Sequence, residues 1–226
     1  MYFHPSYLLL IPGMLLMFWA QAQVQGTYRR YAQIASSLGM TGADVARTIL
    51  HKMGIHDVKV EPVAGELTDH YDPTAKAVRL SQGVYGSGSL AAAAIAAHEC
   101  GHVLQDYQGY GFMNLRASLV PVANLGSQLG PILVMVGLFT GALGGIFINI
   151  GIGLFIAAIA FHVVTLPVEF DASGRALKLI DQLGILQGQE NQAARAVLQA
   201  AAWTYVATAL YAVLQLVQLL MMSRDE

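Results

Sequence analysis

Residues 117–168 contain no Asp, Glu, Lys or Arg, an uncharged run of 52 residues between Arg116 and Glu169. At about 1.5 Å per residue this is roughly 78 Å of helix, against a hydrocarbon core about 30 Å thick. That is too long for one crossing and fits two crossings joined by a tight turn. Glycine-rich Thr140-Gly-Ala-Leu-Gly-Gly145 supplies the backbone freedom such a turn needs, so spans are expected at about 119–139 and 145–166. The rest of the composition agrees. Charged residues make up 12% of the chain, half the roughly 25% usual in soluble domains, which excludes a simple water-soluble globule and a disordered chain. With 12 Lys and Arg against 14 Asp and Glu, no basic stripe exists to neutralise a phosphate backbone, so a nucleic-acid partner is not expected. The partner solvent is the lipid bilayer.

Two further apolar segments, 7–24 and 206–222, bring the expected transmembrane helices to four. Trp19, Tyr28, Trp203 and Tyr205 sit near their ends, where amphipathic rings favour the membrane interface. Ala20-Gln-Ala22 resembles a signal-peptide cleavage site, but no Lys or Arg precedes Arg29, and a signal peptide wants a positive start. The chain is thus read as helix 1 (1–24), a polar region (25–116), helices 2 and 3 (117–168), a second polar region (169–203), and helix 4 with a tail (204–226). Two crossings separate the polar regions, which places both on one side. They hold every Lys and Arg except Arg224. By the positive-inside rule, weighted to Arg29, Arg30, Arg116, Arg175 and Lys178 near span ends, both face the cytoplasm and both termini lie outside.

In the first polar region, Thr27-Tyr-Arg-Arg-Tyr-Ala-Gln-Ile-Ala-Ser-Ser-Leu38 reads as a short separate helix. A second helix opens at Thr41 or Gly42 and closes at Gly54, with Val45, Ile49 and Met53 as its apolar stripe. Residues 57–65 alternate as a strand, and 70–81 read as the second arm of a small sheet, with Asp72-Pro73 as a turn. The fold class is therefore mainly α and integral to the membrane, with a small α+β region.

A helix capped by Ser87 or Ser89 then carries His98-Glu99-Cys100-Gly101-His102. Positions i and i+4 project from one helix face, so two imidazoles can converge on one ion. The glutamate between them is placed to act as general base toward a water on that ion. Cys100 faces away and reads as a packing residue; being the only cysteine, it allows neither an internal disulfide nor a thiolate cage. A catalytic zinc needs a third protein ligand. The candidate is Glu169 in Leu166-Pro-Val-Glu-Phe-Asp-Ala-Ser173, on the same membrane side as His98, where Pro167 suits the start of a new helix. The helix dipole would also favour an acid in that first turn, a reading that weighs still more on Asp171 than on Glu169.

HECGH, followed some 67 residues later by PVEFDAS, with HYDP upstream and four apolar spans, resembles the YugP-like family of membrane-bound neutral zinc metallopeptidases essentially end to end. More distantly it is similar to the HtpX and CAAX-prenyl-protease type of membrane gluzincin. The resemblance implies His98, His102 and Glu169 as ligands of one zinc per chain, with Glu99 as catalytic base and a zincin-like region around the motif. Ser173 stands where the distant relatives have an aspartate that orients a ligand. A partner for the histidines is therefore open; Asp171, Asp106 or a backbone carbonyl could serve.

His162, seven residues before Glu169, could hydrogen-bond substrate or an oxyanion from within the third span. Arg175 could polarise a substrate carbonyl or pair with Asp171. Val78, Arg79 and Leu80, just before the catalytic helix, are expected to offer an edge strand to extended substrate. The expected activity is hydrolysis of peptide bonds in membrane or misfolded proteins at the cytoplasmic face. The rival is a non-enzymatic metal-binding scaffold or a degenerate peptidase relative, which has no use for a glutamate between its ligands.

Overall fold

The computed structural model describes residues 5–137, 139–140 and 143–224. A 3-10 turn at Pro5–Leu9 leads into helix α1 (Leu10–Ala32) and helix α2 (Gly42–Lys52). Strands β1 (Lys59–Val63), β2 (His70–Asp72) and β3 (Ala77–Ser81) and the short helix α3 (Gln82–Tyr85) come next. Helices α4 (Leu90–Tyr107), α5 (Gly111–Gly137), α6 (Gly144–Gln182) and α7 (Gln189–Arg224) complete the chain. It is mainly helical with one small mixed sheet, as expected, and divides into two compact units.

The first unit comprises residues up to Gln21, Gly111–Pro167 and the chain from Trp203. Among the described residues, four helices are long and apolar enough to cross a membrane: Pro5–Ala32, Gly111–Gly137, Gly144–Gln182 and Gln189–Met222. Leu15 and Phe18 are 63% and 70% exposed, an arrangement that suits hydrocarbon and not water. Inside the unit, Val134, Phe155 and Leu219 form a core flanked by Ile152, Ile159 and Leu216. Gly126 lets α5 and α6 approach closely: a Cβ there would stand 2.1 Å from the Leu154 carbonyl oxygen. Trp19 and Trp203 meet edge to face at 5.6 Å. In the turn expected at 140–145, positions 141 and 142 lie outside the described residues.

The helices run past the limits that charge alone suggests. The stretch from Thr27 to Ala32 is the last part of α1, not a separate helix, and α7 continues unbroken through Trp203. Pro167 lies inside α6 instead of opening a new helix. Charge marks where a chain leaves hydrocarbon, but a helix ends only where its backbone bonds fail. Residues 27–32 contain no glycine or proline, and one proline removes a single N–H, a loss that long membrane helices accommodate locally.

The second unit comprises Ala22–Tyr110 and Val168–Ala202. Thr41 caps α2 in a reciprocal capping box with Asp44. Val45 and Ile49 are fully buried, while Met53, the last residue of the expected stripe, is the exposed C-cap. Leu80, Val84, Val103, Ile180 and Leu186 fill the core with them.

The sheet order is β1-β3-β2, with β1 parallel and β2 antiparallel to β3. Residues 70–81 therefore hold both arms of a hairpin, not one. Asp72 makes the turn, its Oδ1 accepting the backbone N–H groups of Thr74 and Ala75 at 2.9 and 3.0 Å. This folding corrects the expected substrate strand. Because β2 folds back onto β3, Val78 pairs with both Val60 and Tyr71, and Arg79 with both Glu61 and His70. Leu80 pairs with Pro62 of β1, and the next N–H, that of Ser81, goes to Asp69 Oδ1 at 2.8 Å. The strand is central and offers no open edge at Val78 or Arg79.

Candidate metal centre

Helix α4 begins at Ser89, whose side chain accepts the Ala92 N–H. Ala91 to Ala94, Ala96 and Ala97 follow, all fully buried. Alanine is both the strongest helix former and the slimmest non-glycine side chain, so α4 passes through the interior of its unit and carries the polar motif there. The four-residue spacing places His98 and His102 on one face, ring centroids 4.7 Å apart. Cys100 lies fully buried with its Sγ 3.7 Å from the Ala46 carbonyl of α2, and burial pushes its thiol pKa up. It packs, as its position on the helix suggests.

Gly101 decides how near α6 can come. A Cβ at Gly101 would stand 2.5 Å from the carbonyl oxygen of Ala172, so any side chain would force the two backbones apart. The close approach delivers Glu169. Its Oε2 lies 3.2 Å from His98 Nε2 and 3.5 Å from His102 Nε2. One ligand atom from each of these three residues falls within 4.8 Å of the others. Burial works to raise the Glu169 pKa, but hydrogen bonds and charge from His102 and His98 hold it well below the usual carboxylate range. For His102, burial pulls downward and is outweighed by Glu169 and Glu99, so its pKa lies above normal. Glu99 is also buried, which raises its pKa, while His98 and His102 act in the opposite direction.

The back of each imidazole is occupied. His98 Nδ1 lies 3.1 Å from Ser173 Oγ, and His102 Nδ1 lies 2.9 Å from Gln105 Oε1. Gln105 is fully buried and donates through Nε2 to the Val168 carbonyl at 2.7 Å and to Asp171 Oδ2 at 2.8 Å. Neither acid named from sequence as a histidine partner fills that place. Asp106 accepts the Tyr71 hydroxyl at 2.8 Å, and Asp171 stands one residue further back, behind Gln105. Ser173, which departs from the pattern of the distant relatives, itself contacts a histidine. Gln105 was missed although its signal was present: it follows His102 by three residues, one turn along the same helix face.

Arg175 pairs with Asp171 at 2.5 Å, also donates to Gln108, and stacks over Tyr110. Of its two expected roles, this is the structural one. His162 lies in the part of α6 that belongs to the first unit, beside Phe161, and is not one of the three grouped ligand residues. Asp69 was also missed. It is half-buried, accepts from Ser81 through both N–H and Oγ, and desolvation raises its pKa.

The chain matches, over residues 6–224, the family model described as "Putative neutral zinc metallopeptidase". It is 45% identical over 221 residues to the "Putative membrane protease YugP" of Bacillus subtilis (strain 168), a match covering 96% of this chain and 97% of that protein. No solved structure matches it.

Proposed function

The chain belongs to the neutral zinc metallopeptidase family, and from that premise we propose that it is a membrane-anchored zinc endopeptidase whose metal is held by His98, His102 and Glu169. The observation that carries this reading is the meeting of three ligand atoms within 4.8 Å from two helices distant in sequence. Two imidazole nitrogens and one carboxylate oxygen are a donor set that suits zinc and leaves a position open for substrate, as catalytic sites require. Zinc bound there would supply a Lewis acid that polarises the scissile carbonyl and makes water more acidic.

The remaining work falls to the chain. Glu99, adjacent to His98, takes the proton of the attacking water and returns it to the leaving amine. Gly101 sets the separation of α4 and α6, and so the distance of Glu169 from the histidines. The substrates are peptide bonds of membrane or misfolded proteins, a reading supported by four apolar helices on the same chain as the site.

Purified protein should hold one zinc, which His98→Ala or Glu169→Ala largely removes. Glu99→Gln should keep the zinc and lose about 10²–10⁴-fold in peptide hydrolysis. A Glu99→Gln protein that cleaves at the normal rate would overturn the assignment of the base. A wild-type protein that binds zinc tightly and cleaves nothing would favour a non-enzymatic scaffold.

The distribution of basic residues supports a cytoplasmic active site with both termini outside. Single cysteines at Lys52 or Lys178, introduced into a Cys100→Ser background, should resist an impermeant maleimide in intact cells. Labelling at 178 from outside reverses the topology.

A further inference from the structure

We propose that Gln105 is a positioning residue for the metal centre: it locks His102 in the tautomer that carries its proton on Nδ1, leaving the Nε2 lone pair on the side of Glu169. The inference rests on the metal-site reading above and goes one shell beyond it. A carboxamide can in principle be turned either way, presenting oxygen or nitrogen to a given neighbour. Here the neighbours decide. One end of Gln105 faces the Val168 carbonyl at 2.7 Å and Asp171 Oδ2 at 2.8 Å. A peptide carbonyl can only accept, and an ionised carboxylate can only accept, so the NH2 group must be at that end. Its two hydrogens are both used. The other end must then be the oxygen, which lies 2.9 Å from His102 Nδ1. An oxygen acceptor requires a proton on that nitrogen. In the neutral ring this leaves Nε2 bare, and Nε2 is the atom 3.5 Å from Glu169 Oε2.

His98 is held differently. Its Nδ1 faces a serine hydroxyl at 3.1 Å, and a hydroxyl can donate or accept by rotating. Ser173 supports the same tautomer but does not impose it. Gln105 is also fully buried, so water cannot replace its contacts, and through Val168 it is tied to the residue immediately before Glu169. It therefore couples the orientation of one ligand to the placement of another. Asp171 is in turn anchored by Arg175 at 2.5 Å.

The test uses full-length, zinc-loaded protein in detergent, with zinc affinity read by chelator competition and the histidines labelled with 15N. In the wild type the His102 Nδ1 proton should be visible and slow to exchange. Gln105→Leu should weaken zinc about 10–100-fold, the range for loss of a group that orients a ligand, and should make that proton exchange rapidly. Ser173→Ala should weaken zinc less. Zinc affinity in folded Gln105→Leu within about twofold of the wild type would overturn the proposal. If that variant does not fold, the wild-type spectrum decides: a His102 Nδ1 without a protected proton overturns it equally. Failure of the underlying reading looks different. A wild type that binds no zinc, or keeps all of it in Glu169→Ala, removes the metal centre and this proposal with it.

Discussion

Helix α6 is approached closely by glycine in both units, two regions of different character. In the apolar unit, Gly126 of α5 meets the Leu154 carbonyl, where a Cβ would stand 2.1 Å away. In the other unit, Gly101 of α4 meets the Ala172 carbonyl, with the corresponding distance 2.5 Å. The device is the same and the yield differs. Around Gly126 the neighbours are apolar, and Val134 and Phe155 pack a few residues further on. There the close approach is an end in itself, because small residues that let backbones touch are a main source of helix association in lipid. Around Gly101 the close approach brings Glu169 to His98 and His102, Ser173 to His98, and the Val168 carbonyl to Gln105. Hydrogen bonds tolerate only tenths of an ångström, so in that unit helix spacing is a condition of the polar cluster, and of the metal site proposed there.

The largest effect should come from filling the gap at Gly101. Gly101→Val inserts atoms against a backbone carbonyl that cannot rotate away. The expected outcome is loss of nearly all zinc, together with a stability loss of about 1–3 kcal/mol or more from overpacking. Gly126→Val should cost a similar amount of stability for the same reason, yet the folded fraction should retain one zinc per chain. Metal content against thermal midpoint, measured for both variants in detergent, separates the two roles. Equal zinc loss in both would show that the contrast between the regions does not hold.

The smallest effect belongs to the exposed cluster of Asp57, Lys76 and Tyr107, which involves neither close contact. Hydrogen bonds from Lys76 and Tyr107 lower the Asp57 pKa to about 2, against an ordinary 3.8. A folded-state pKa that is depressed gives stability present above the ordinary value and lost as pH falls toward the folded one. Between about pH 4 and pH 2 the wild type should therefore lose slightly more thermal stability than Asp57→Asn, with no difference in zinc content at neutral pH. Solvent screening keeps the difference small. A large destabilisation at neutral pH would mean that this cluster supports the fold more than its exposure indicates.

Several features were legible from residue order alone because they depend on local chemistry. An uncharged run of 52 residues has no low-energy place except hydrocarbon, wherever its helices begin and end. The i, i+4 spacing of His98 and His102 is a property of any helix, and a serine cap was legible too, although only the structure chooses Ser89 over Ser87. Glu169 stands out as an acid at the end of an apolar span, and the structure brings it beside His98 and His102. Other features depended on what lies across a gap. Pro167 looked like a boundary, but α6 runs through it because the rest of the backbone ladder outweighs one missing donor. Val78 and Arg79 looked like an edge until the Asp72 turn laid β2 over them. Gln105 reads as one more polar residue on a helix, and only α6, with a carbonyl and a carboxylate facing it, decides which way its amide points. Sequence sets periodicity, charge and caps, which act over a few residues. The surroundings of His102 are set by atoms that become neighbours only when α4 and α6 pack, at a distance that Gly101 permits.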